Sequence, residues 1–174
     1  MAETRTLLLL RHAKAAAASA GMDDFDRPLA PRGRDAAQAL AGVLAGMALP
    51  SPVVILCSAA RRTQETLEQL RPGLPPSADL RIERALYLAS PERLLGAIRA
   101  VPAAAGSVLV IGHNPGLHEL ALAVAGSGAA VDRERLASRF PTAALAGFAV
   151  AGVWRDLAEN AGRLVVCRAP RDLD

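Results

Sequence analysis

The 174-residue chain is 52% apolar and 21% charged, a balance that fits one compact globular domain over 1–174 and excludes a wholly disordered polymer. Its net charge of +3 rests on scattered arginines and a single lysine, Lys14, with no basic run interleaved with aromatics, so nothing marks a nucleic-acid surface. No apolar run approaches a membrane span, and Arg11, His12 and Lys14 interrupt the one N-terminal stretch that imitates a secretory leader, which points to the cytoplasm.

In chain order, Thr6 to Leu10 is a short continuous apolar run that predicts a strand buried on both faces, ending in Arg11-His12. Gly33 to Met47 carries apolar residues at helical spacing. Val53 to Cys57 predicts a second buried strand followed by the polar stretch from Ser58, and Arg61 to Leu70 a helix. Pro91 to Val101 reads as a helix capped by Ser90, with Pro91 in its first turn. Ser107 to Ile111 predicts a third buried strand opening into Gly112-His113-Asn114-Pro115-Gly116. The helix from Pro115 to Ala125 has Asn114 as its candidate cap. A short helix at Arg133 to Ser138 and two more exposed strands, Leu145 to Val150 and Arg163 to Arg168, complete the pattern. The alternation predicts an α/β three-layer sandwich: a mostly parallel central sheet with helices on both faces.

In such sheets ligands sit beyond the carboxyl ends of the strands. Three strands deliver polar residues there: Arg11-His12, Ser58 to Arg62, and His113-Asn114. Two imidazoles beside two guanidiniums repel one another unless a multiply charged anion joins them. Phosphate chemistry uses this set. Arginine forks match phosphoryl oxygens, a neutral imidazole is a competent nucleophile toward phosphorus near pH 7, and a protonated second imidazole adds charge stabilisation. Cys57 and Cys167 lie far apart without a CxxC or Cys/His cluster, so no metal is expected and free thiols are the default. No GxxxxGK[ST] or GxGxxG follows a strand, which leaves nucleotide binding unsupported.

Leu10-Arg11-His12-Ala13-Lys14 resembles the RHG/RHA signature of the histidine phosphatase (phosphoglycerate mutase-like) superfamily, and further motifs resemble its short SixA-type phosphohistidine phosphatases. These are Asp24 with Asp26-Arg27-Pro28-Leu29 to Arg32-Gly33, the Ser58…Arg62…Thr66 stretch, Gly112 to Gly116, and Phe140-Pro141-Thr142-Ala143-Ala144. The resemblance implies that His12 becomes phosphorylated, that Arg11 and Arg62 hold phosphoryl oxygens, and that His113 completes the pocket. Asn114, Thr142, Lys14 and Arg27 are its candidate substrate-binding residues. Arg61 is the rival of Arg62, but the spacing to Thr66 favours Arg62 and leaves Arg61 to solvent. His118 reads as an exposed helix residue, and Asp26 with Arg27 as organisers of the loop after the first strand.

Many members of the superfamily add a carboxylic acid that protonates the leaving group. One branch places an Asp directly after the second His, where this chain has Asn114, and Glu83 and Glu92 lie outside the other branch's usual motif. An alkoxide leaving group benefits from such an acid, whereas a phosphohistidine ring carries its own proton. The expectation is therefore a phosphatase working through phospho-His12 on protein phosphohistidine, with a phosphotransfer domain as partner, phosphate as product and no cofactor. A small-molecule phosphomonoester phosphatase on the same scaffold and an inert phosphate- or phosphoprotein-binding module are the alternatives.

Overall fold

A computed structural model describes residues 3–172. Seven strands form one sheet: β1 (Thr4–Arg11), β2 (Val53–Ser58), β3 (Asp79–Glu83), β4 (Ser107–Gly112), β5 (Ala125–Gly128), β6 (Leu145–Ala151) and β7 (Gly162–Arg168). Their spatial order is β3-β2-β4-β1-β6-β7-β5. The pairings β1–β4, β2–β4, β2–β3 and β5–β7 are parallel, and only β6 runs against its neighbours β1 and β7. The sheet is thus mostly parallel, and the fold is α/β with helices on both faces.

Alternation along β1 divides the core. Leu8 and Leu10 meet α1 (Pro31–Ala45) and α2 (Arg61–Leu70) on one face. Leu7 and Leu9 meet α3 (Pro91–Arg99), α4 (Gly116–Val124) and Leu136 of α5 (Ala130–Ser138) on the other. All four leucines are fully buried, each contributing roughly 2 kcal/mol by leaving water. Both faces being covered explains why β1, β2 and β4 read as unbroken apolar runs rather than alternating ones.

The structure departs from the sequence expectations at identifiable places. The β3 strand alternates charged and apolar residues as a sheet edge, and β5 is a four-residue Ala-Gly-Ser-Gly strand where the helix was expected to be ending, so neither carries a strand signal. The β6 strand is mostly buried rather than exposed, because it lies between β1 and β7. Helix α1 begins at Pro31, two residues early, in the first-turn position that proline's fixed φ favours. Ser90 caps α3 as expected, its Oγ accepting from the Arg93 N–H at 3.2 Å. Asn114 does not cap α4: the helix starts after Pro115, and the Asn114 side chain turns to the Phe140 carbonyl instead. Among the described residues no helix is long and apolar enough to cross a membrane.

The loop between β1 and α1 is drawn tightly onto the helix. The Ala30 N–H donates to the Lys14 carbonyl at 2.8 Å, and a Cβ at Gly33 would collide with that same oxygen. Glycine at 33 is what lets the loop lie flat and bring Asp24 back over the carboxyl edge of the sheet.

Candidate active site

His12 follows directly from β1 and is locked by backbone bonds on two sides. Its N–H donates to the Gly112 carbonyl at 3.1 Å, and its carbonyl accepts from Ala143 N–H at 3.0 Å. The ring Nδ1 lies 2.7 Å from the Ala13 carbonyl, which can only accept, so Nδ1 carries the proton. Nε2 therefore presents its lone pair, and it accepts from Arg62 Nε at 3.3 Å. The same logic fixes His113. Arg62 Nη2 donates toward its Nδ1 at 3.4 Å, so Nε2–H donates to Ser58 Oγ at 2.7 Å. The two rings stand 5.3 Å apart and tilted.

The Ser58…Arg62…Thr66 spacing gains a physical meaning here. Ser58 ends β2 and holds His113, and Arg62 in the first turn of α2 reaches His12. One turn later, Thr66 Oγ1 accepts from the Ala13 N–H at 3.0 Å and donates to the Arg62 carbonyl at 2.7 Å. Arg62 is 3% exposed, an unusual place for a guanidinium without an anion beside it. The anion present is Asp24, whose carbonyl accepts from Nη1 at 2.7 Å and whose Oδ2 accepts from Nη2 at 3.0 Å. Tyr87 completes this cluster, its hydroxyl donating to the same Oδ2. Neither Tyr87 nor the Asp24–Arg62 pairing was singled out by the sequence.

The remaining candidates fall in different places. Arg11 is half-buried and its Nη1 donates to the Phe140 carbonyl at 3.2 Å, as does Asn114 Nδ2 at 2.7 Å. Arg27 lies along Asp24, Nε to Oδ1 at 3.3 Å. Arg61 is exposed and paired with Glu65 at 2.7 Å, away from the imidazoles. Lys14 and Thr142 line a separate cavity of about 410 Å3 with Arg32, Asp35 and Arg171. His118 is not exposed: its Nε2–H donates to the Leu136 carbonyl at 2.6 Å and its ring stacks on Phe140, pinning α5 to α4. Glu83 ends β3 and Glu92 is exposed in the first turn of α3. Both cysteines are free, and burial pushes the Cys57 thiol up to about 12. Among the described residues no three His, Cys, Asp or Glu side chains gather as a metal site.

Burial and the surrounding cations govern protonation. Desolvation, then the charges of Arg62, Arg11 and Arg27, hold His12 down at about 4, against the contrary pull of the Ala13 carbonyl. His113 is held at about 3 by burial, by His12 and by Arg62. Both rings are therefore neutral at pH 7 in this structure, whereas the expected protonated second imidazole is one with a phosphoryl group beside it. A phosphoryl dianion between them is the kind of charge that would reverse the balance. Asp24 goes the other way. The Tyr87 hydroxyl, and after it Arg62 and Arg27, lower its pKa and keep it a carboxylate.

These depressed imidazoles predict an acid-sensitive fold. Between about 4 and the unfolded value of 6.5 the unfolded chain binds the proton and the folded one does not, so stability is full above 6.5 and declines as pH falls through the window. For His12 alone the loss between pH 7 and pH 4 is on the order of 3 kcal/mol. Urea denaturation of wild type and His12→Gln across that range checks this: the wild-type curve should slope more steeply, and parallel curves would contradict it.

Comparisons with known proteins identify the family. Residues 7–87 match the family model for the histidine phosphatase superfamily, branch 1. An uncharacterized protein of Mycobacterium tuberculosis is 39% identical over 166 residues, covering 93% of this chain and all of that one. The structure described as phosphohistidine phosphatase SixA from Nakamurella multipartitia superposes with a TM-score of 0.82 at 34% identity, over 96% of both chains. A SixA structure from Agrobacterium tumefaciens gives 0.79 at 30% identity, over 95% of this chain and 98% of that one. The chain belongs to the histidine phosphatase superfamily, and it is a phosphatase. Within that superfamily it is of the SixA type.

Proposed function

We propose that the protein hydrolyses phosphohistidine on another protein in the cytoplasm, through phospho-His12. The observation that carries the reading is the pairing of a neutral His12, its Nε2 lone pair directed toward Arg62, with a pocket whose contacting carboxylate is held ionised. The Nε2 lone pair forms a bond to phosphorus while the bond to the substrate's ring nitrogen breaks, its electrons staying with the departing ring. Water then attacks phospho-His12, the N–P bond breaks, and phosphate and neutral His12 result. Arg62 and Arg11 hold the equatorial oxygens where negative charge gathers, and His113 joins them once the phosphoryl dianion draws a proton onto its Nδ1. No bound cofactor enters either step. The names of the SixA relatives support the substrate class.

The test is phosphate release from a phosphohistidine-bearing phosphotransfer domain, measured beside an aryl phosphate. Release from the phosphoprotein should exceed ester cleavage in kcat/KM. Ester cleavage without phosphoprotein turnover would move the substrate to small phosphomonoesters.

A further inference from the structure

Aromatic side chains are scarce, with three Phe, one Tyr and one Trp in the chain. Phe140, Phe148 and Trp154 are buried, but Phe25 and Tyr87 stand half-buried at the mouth of the pocket. They meet edge to face at 5.0 Å, Tyr87 meets the His113 ring edge to face at 5.4 Å, and the Arg84 guanidinium lies over Phe25 at 4.4 Å. Ring surface left outside an aliphatic core needs another explanation than packing.

Asp24 lies beside these rings with 47% of its side chain exposed. Its Oδ2 is engaged by Arg62 and Tyr87, while Oδ1 has only Arg27 Nε at 3.3 Å, an ion contact in which that N–H has no hydrogen-bond partner. One carboxylate oxygen thus retains accepting capacity. Arg62 donates from Nε to His12 and from Nη1 and Nη2 to Asp24, so one guanidinium joins nucleophile and carboxylate in a single pocket. Phosphoryl transfer runs in line, with attacking and leaving atoms on opposite sides of phosphorus. A leaving group that departs on the Asp24 side would meet that carboxylate and the two aromatic rings together.

We propose that Asp24, Phe25 and Tyr87 form a leaving-group subsite for a protonated imidazole, the aromatic edges flanking the ring and the Asp24 carboxylate accepting from its far N–H. The inference rests on the phosphohistidine reading above and gives it a specificity determinant. A phosphorylated imidazole protonated on its other nitrogen loses its P–N bond with the electrons moving to the ring, and it leaves as neutral imidazole. The far proton stays where it was, so no acid is required. The carboxylate favours this cationic form and keeps it populated above the ring's own pKa. An ester oxygen needs a proton on departure, which an Asp24 held ionised by Arg62, Arg27 and Tyr87 does not supply. The charged and titratable groups facing Asp24 are these three, from α2, its own loop and the segment after β3, together with His113 at the end of β4, whose ring feels the Asp24 charge.

The experiment compares phosphoimidazole with an aryl phosphate for wild type, Asp24→Asn and Phe25→Leu. Asp24→Asn should lower the ratio of kcat/KM for phosphoimidazole over aryl phosphate about tenfold or more, and move the alkaline limb of the phosphoimidazole profile down by about one pH unit. Phe25→Leu should lower the ratio several-fold and leave that limb in place. Equal losses on both substrates, or an unmoved ratio and limb in Asp24→Asn, would overturn the subsite while leaving phosphohistidine hydrolysis standing. A wild-type enzyme that cleaves the aryl phosphate but not phosphoimidazole would overturn both.

Discussion

Replacing His12 with alanine is expected to lower phosphate release from every substrate on the order of 10⁴-fold or more, the scale seen when a covalent nucleophile is removed. No other side chain can take over. His113 donates Nε2–H to Ser58 and has Arg62 against Nδ1, and His118, the third of the three histidines, is committed to Leu136. Rapid quenching of wild type should trap an acid-labile phosphorylated species that the variant lacks. The folded variant should survive, since its backbone bonds to Gly112 and Ala143 do not involve the ring, and it loses an imidazole that opposes folding in acid. Wild-type turnover by His12→Ala would sink the covalent mechanism, whatever the substrate.

Arg62→Ala is expected to cost about 10²- to 10³-fold in kcat, the scale on which a preorganised donor to a developing charge is lost. One guanidinium touches His12, His113 and Asp24, so its removal frees both rings and the loop carboxylate together. Arg62→Lys should recover little, because an ammonium cannot bridge His12 and Asp24 while presenting a planar fork to phosphate. The fold should tolerate either change, since Asp24, the charge left behind, is about half exposed. Single-turnover kinetics on the aryl phosphate would decide. A lysine variant within a few-fold of wild type would reduce Arg62 to a simple positive charge.

What the sequence disclosed follows the length over which its signals act. The buried strands β1, β2 and β4 were legible because burial on both faces writes continuous apolar runs, and the helices because their apolar spacing is local. The edge strand β3 alternates charged and apolar residues, and β5 is mostly glycine and serine, so neither could announce itself. Within the site, residues at strand ends could be named, but their partners could not. Asp24 meets Arg62 across 38 positions of chain, and Tyr87 meets Asp24 across 63. Only folding creates those neighbours. The cavity that Lys14 lines with Thr142, Arg32 and Arg171 is likewise made by residues far apart in the chain.

The same scarcity of aromatics equips the protein with separate optical reporters. Trp154, the sole tryptophan, is wholly buried, its indole N–H donating to the Ala105 carbonyl at 2.7 Å, in a turn that packs on α3. Its fluorescence therefore follows loss of the tertiary fold. Tyr87, the sole tyrosine, sits on His113 with its hydroxyl on Asp24, and burial and that carboxylate raise its pKa. Its ultraviolet difference spectrum follows whatever displaces Asp24. Unfolding and occupation of the pocket can thus be recorded on the unmodified chain, each from a single chromophore.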